Sequence, residues 1–241
     1  MTLSLRQITP TILSLLTLTV ATACNAPGGD PLRFDGVNVG SSTQAQGQGV
    51  EALGARTITG ETCHSNDPHH ICLALHYVVY KDTNNVPVID SKTVTDNMAA
   101  INRVWNHCDL GFQIEKFEEA QPTDKNLAFG AESLNQLDPI RKAFMDPSTL
   151  LVVTTGDWGT VKNAWTSMPG SELYGAILES SVGNYPNIIA HELGHYLNLD
   201  HVADNSNVMD AIIYPTSTSL DQGQCDAARA TAQGLWKAML R

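Results

Sequence analysis

His191-Glu192-Leu193-Gly194-His195-Tyr196-Leu197-Asn198-Leu199-Asp200-His201 is the most chemically dense stretch of this 241-residue chain. On an α-helix, residues four apart lie one above the other on one face. His191 and His195 therefore present two imidazoles to one point. Glu192 projects beside that point, better placed to hold a water than to act as a ligand. A continuing helix would carry His201 about 9 Å along the axis beyond His195. For His201 to join the other two, the helix must end and the chain must turn sharply. Asn198 stands where that turn is needed, and Asn is second only to Gly in tolerating the left-handed conformation that ends helices.

Outward from this helix, read over 185–197, the chain alternates between two periodicities. Residues 71–80 (ICLALHYVVY) are β-branched and aromatic, as in a buried strand. Over 91–107, Val94, Met98, Ile101, Val104 and Trp105 recur at helical spacing. A strand is predicted over 112–117 and a short helix over 138–145, with Pro139 in its first turn. Residues 150–155 (LLVVTT) read as a second buried strand, and 174–179 as a short strand at a sheet edge. A last helix is predicted over 220–240, opened by a capping box from Ser219 to Gln222. The order of elements indicates one α/β or α+β domain.

The pattern H-E-x-x-H on a helix is a zinc-site signature, with two His ligands and Glu as general base. With His201 six residues after His195, and Val208-Met209-Asp210 following eight residues later, the segment resembles the zinc site and Met-turn of the metzincin proteases. The His-to-Met spacing resembles that of the matrixins, as does Asp204. The resemblance extends over 71–241 in element order but only over 191–210 in motif. It departs at Asn198, where such proteins carry Gly. It also departs at Ala211, where those with a tyrosine near the metal carry it, so Tyr214 takes no ligand role.

The resemblance implies a single catalytic domain with a twisted mixed sheet, long helices and an active-site helix. It implies one catalytic Zn2+ held by His191, His195 and His201, with Met209 as the apolar floor beneath the imidazoles. The implied activity is that of a zinc metalloendopeptidase acting on protein or peptide substrates, with Glu192 activating a metal-held water. Substrate would lie extended along the edge strand around 175–178, and Ile212 to Pro215 would wall a specificity pocket. A non-proteolytic zinc-binding surface lipoprotein on the same scaffold is the alternative, and Glu192 weighs against it. His64, His69 and His70 cluster beside Cys63 and Cys72, more in the manner of a solvated loop than of a second metal site.

The N-terminus reads as a targeting segment. Arg6 precedes an apolar run from Ile8 to Val20, about the length of a signal-peptide core and short for a membrane span. Ala21-Thr22-Ala23-Cys24 loosely resembles a bacterial lipobox, which implies cleavage before Cys24 and lipidation of its sulfur. The expected organisation is a signal peptide over 1–23, a flexible Gly-, Ser- and Gln-rich tether over 24–59 and the catalytic domain over 60–241. The expected location is the bacterial cell envelope, lipid-anchored at the outer membrane or cell surface, or secreted if Cys24 is not lipidated. With Cys24 modified, Cys63, Cys72, Cys108 and Cys225 remain, an even number suited to an oxidising compartment. Of the three possible pairings, Cys63–Cys72 would close a short polar loop and Cys108–Cys225 would join distant segments. The net charge of −11, from 14 Lys and Arg against 25 Asp and Glu, opposes nucleic-acid binding. The chain is expected to act as a monomer.

Overall fold

The computed structural model describes residues 22–25, 63, 69–131, 133–159, 162–170 and 172–241. Its strands are β1 (Thr22–Asn25), β2 (Ile71–Tyr80), β3 (Leu110–Ala120), β4 (Leu150–Thr154), β5 (Lys162–Thr166) and β6 (Ala176–Leu178). The helices are α1 (Ser91–Trp105), α2 (Leu134–Phe144), α3 (Pro186–Tyr196) and α4 (Gln222–Gly234). One mixed sheet runs in the order β1-β5-β6-β4-β2-β3. The pairs among β3, β2, β4 and β6 are parallel, whereas β5 runs antiparallel to both β6 and β1.

The nearly continuous apolar run of β2, broken by the buried His76, follows from its central place, since a strand covered on both faces has no solvent side to mark with polar residues. Successive side chains point to opposite faces. Leu73, Leu75, Tyr77 and Val79 enter the large core with residues of α1, α3 and α4, while Val78 and Tyr80 enter a smaller core with Leu137, Ile140 and Phe144 of α2. Leu150 and Val152 of β4 join the first core, and Leu151 and Val153 the second. Each large side chain buried in this way contributes about 1.5–3 kcal/mol. The sheet is thus a two-faced wall, with α3 held on the side of the larger core.

Three elements differ from the sequence-based expectation. Ala176–Leu178 is not an edge strand: it is bonded on both sides, to β4 and to β5, and all three residues are buried. The strand outside it is β5, whose Lys-Asn-Ala-Trp-Thr sequence has too little apolar alternation to stand out. Helix α2 begins at Leu134, four residues before Asp138, because Ser133 and Gln136 form a capping box there. Pro139 consequently lies inside the helix. Helix α4 is capped by Asp221 and Gln224, not Ser219 and Gln222. The Ser219 carbonyl instead accepts from Val208 N (2.9 Å), and its hydroxyl donates to Ser206 O (2.8 Å).

Cystines join Cys63 to Cys72 and Cys108 to Cys225. The second spans 117 residues and fastens the first turn of α4 to the turn after α1. In a chain-entropy account a loop of that order contributes about 4–5 kcal/mol by restricting the unfolded chain. Two such bridges point to an extracellular or envelope compartment. Among the described residues, no helix is long and apolar enough to cross a membrane. The expected signal peptide and tether lie outside the described residues, apart from Thr22–Asn25. That segment pairs with β5, Thr22 opposite Thr166 and Cys24 opposite Ala164. Processing before Cys24 would remove Thr22 and Ala23, half of β1, and with them the strand partners of Thr166 and Trp165 on that edge of β5.

Candidate metal centre

Helix α3 is buried from Ile188 to Tyr196, its polar His191, Glu192 and His195 included. Pro186 occupies its first turn, where a missing N–H costs nothing. Its far side is anchored by indole and phenol groups. Trp105 Nε1 donates to Ala190 O (3.3 Å), Tyr196 Oη to Leu151 O (2.7 Å) and Trp236 Nε1 to Tyr196 O (2.6 Å). These bonds fix the rotation of α3 about its axis, and with it the direction in which His191, Glu192 and His195 point. All three side chains are fully buried.

The helix ends as the position of Asn198 suggested. Asn198 has φ +63°. Leu199 N donates back to Gly194 O (3.1 Å) and Asn198 N to His195 O (3.0 Å), the paired bonds of a Schellman motif. The reversal carries the chain back over the helix and delivers His201, half-buried, to the two helical imidazoles. The Met209 segment then locks both strands of the return. Val202 N donates to Met209 O (2.9 Å), and His191 Nδ1 donates to Val208 O (2.7 Å). Met209 is fully buried against Gly194, where a Cβ would lie 2.3 Å from the Met209 sulfur and force it to shift.

The three imidazoles converge through their Nε2 atoms. His195 Nε2 is 3.0 Å and His201 Nε2 is 3.3 Å from His191 Nε2. Three nitrogens about 2.0–2.1 Å from a tetrahedral zinc ion would lie roughly 3.3–3.4 Å apart. The protonation pattern fits as well. His195 Nδ1 meets Leu199 O at 2.8 Å, as His191 Nδ1 meets Val208 O. A carbonyl cannot donate, so each Nδ1 carries the proton and each Nε2 turns a lone pair inward. Burial, with a further contribution from His195, pushes the His191 pKa well down, and burial lowers that of His195 to about 4. His201 is lowered too, again chiefly by burial. Each shift favours the neutral ring, the state a metal requires. Together they form a group that could hold a metal ion.

Around this group the other sequence candidates separate. Asp204 accepts from Ser206 N (2.9 Å) and Ser206 Oγ (2.8 Å), closing its own turn. Among the described residues, His69 and His70 join no metal-binding group; His64 lies outside them. An apolar pocket opens one helical turn before His191, between Tyr185–Ile188 and Ile213–Pro215. Tyr214 lines it, and Ile212 does not. At about 160 Å³ it is smaller than the roughly 300–1,000 Å³ of small-molecule sites, and suits one side chain.

Sequence reasoning missed one residue of the centre. Thr166, the last residue of β5, is fully buried and donates its hydroxyl hydrogen bond to Glu192 Oε2. Local sequence offers no sign of this contact, because it depends on where β5 lies in the sheet.

No family model matches the chain, and no curated protein matches it. Among solved structures, the crystal structure of metalloproteinase-II from Bacteroides fragilis is similar at 13% identity and a TM-score of 0.49. The similar region covers 69% of this chain and 59% of that one, less than two thirds of its length. Likeness at that level carries no function across.

Proposed function

We propose that the chain is a zinc-dependent endopeptidase. The observation that supports this is a buried carboxylate, Glu192, beside three imidazoles whose ring nitrogens converge on one point. A closed structural zinc site has four protein ligands and no use for a base. Here, among the described residues, the group comprises three, which leaves room for a reacting oxygen. His191, His195 and His201 would hold the ion. When bound, zinc supplies a Lewis acid that acidifies a water and stabilises the developing oxyanion. Glu192 takes the proton of the attacking water and returns it to the leaving nitrogen. Substrate lies extended along β5, where main-chain N–H and C=O groups provide a ladder like the one β1 uses. The pocket at Tyr185–Ile188 and Ile213–Pro215 takes one apolar side chain next to the scissile bond.

Digestion of a peptide library by the purified protein with zinc tests the reading. Cleavage of peptide bonds flanked on one side by an apolar residue, abolished by a chelator, is the expected result. Intact peptides under those conditions would sink it in favour of a zinc-binding surface protein.

We further propose that Cys24 carries a lipid anchor, on the strength of Ala21-Thr22-Ala23-Cys24. The mature protein should partition into detergent and yield a lipid-modified Cys24 peptide. An unmodified N-terminus at another residue, found by intact mass, would remove the anchor.

A further inference from the structure

The side chain of Glu192 is fully buried, and a carboxylate withdrawn from water needs donors to stay charged and to keep one orientation. One donor comes from the sheet. Within β5 the period of two places Ala164 and Thr166 on one face and Trp165 on the other. Ala164 belongs to the core that contains α3, and Trp165 to the core behind the sheet. Thr166 therefore faces the helix, and its hydroxyl reaches Glu192 Oε2. A β-branched residue in a strand has few χ1 choices, so the hydroxyl is held where it is needed.

The other edge of the same strand is the one that β1 occupies, Thr22 opposite Thr166. Strand β5 thus offers a backbone ladder to an extended chain and, from the same residue, a side-chain bond to the carboxylate beside the imidazoles. We infer that Thr166 is a positioning residue: its hydroxyl fixes the carboxylate of Glu192 relative to a peptide paired along β5. This rests on the reading of Glu192 as the base. It adds that the base is oriented by the strand that binds the substrate, so that the scissile bond and the proton acceptor share one rigid support. Misplacing a reacting group by about 1 Å can cost on the order of 10²-fold in rate.

Three proteins decide it: wild type, Thr166→Val and Thr166→Ser. Valine keeps the shape and removes the donor; serine keeps the donor. The expected result for Thr166→Val is a kcat lower by about 10- to 100-fold, with KM within about two-fold because substrate pairing is made by backbone. Thr166→Ser should recover most of that loss. Thr166→Ala carries the same comparison should the valine variant not fold. A second readout needs neither metal nor turnover. In metal-free protein, the melting-temperature losses of Thr166→Val and Glu192→Ala should be clearly non-additive, because both remove the same bond. Additive losses would overturn the inference. So would an unchanged kcat in Thr166→Val, or a serine variant as slow as the valine one; each leaves the base reading standing. Absence of turnover in the wild type overturns the base reading, and the positioning role falls with it.

Discussion

Glu192→Gln is expected to keep its metal and its fold while losing hydrolysis by at least about 10²-fold, the lower range for a removed general base. Gln has the size and shape of Glu and differs in having no carboxylate to take a proton. Its side-chain oxygen can still accept from Thr166, as that of Glu192 does in the structure. The imidazoles are oriented by other groups, His191 by Val208 O and His195 by Leu199 O, so neither loses its support. The buried site therefore changes by one charge and very little in packing. Zinc content, melting temperature and peptide turnover measured on one preparation separate the possibilities. Near-wild-type turnover with zinc present would refute the mechanism and leave a metal site without an assigned reaction.

His201→Ala is expected to lose the metal altogether. His201 is the half-buried member of the group, carried on the return loop, and its Nε2 lies 3.3 Å from that of His191. Removing it leaves two helical ligands, too few to retain an ion through dialysis. Metal bound only by the native state stabilises in proportion to its affinity, by about 4 kcal/mol when free ion is a thousand times the dissociation constant. The variant's melting temperature in the presence of zinc should therefore fall to near that of the metal-free wild type. The metal-free forms should differ by much less than the zinc-bound ones, since the backbone bond from Val202 N to Met209 O holds the loop in both. Full zinc occupancy in His201→Ala would show that the third ligand is another group. Asp200 is the one to test first, because Asp204 is engaged with Ser206.

Local geometry explains what was legible from residues alone. The helical period brings His191 and His195 to one face in any helix, and left-handed tolerance at Asn198 is a property of that residue. Both could be read before any fold was known, and Asn198 adopts φ +63°. The buried strands at 71–80 and 150–155 were equally plain, because a central strand is apolar on both faces over most of its length. Helix caps were harder. Ser219 and Asp221 both offer a capping oxygen, and the choice fell to Asp221 because the Ser219 carbonyl is bonded to Val208 N.

The sequence by itself determined the imidazole pair, the carboxylate beside it, the residue that ends the helix and the strands at the centre of the sheet. Each depends on neighbours within a turn or a strand. Tertiary structure alone decided which strand lies outermost, that Thr166 reaches Glu192, and that Met209 fills the space left open at Gly194. Those contacts join residues 15 or more positions apart in the chain. Their formation depends on the order in which strands pair and on the space left between α3 and its neighbours. A five-residue strand such as Lys162–Thr166 carries no periodic signal strong enough to announce its place. It is positioned instead by the edge that β6 presents to it.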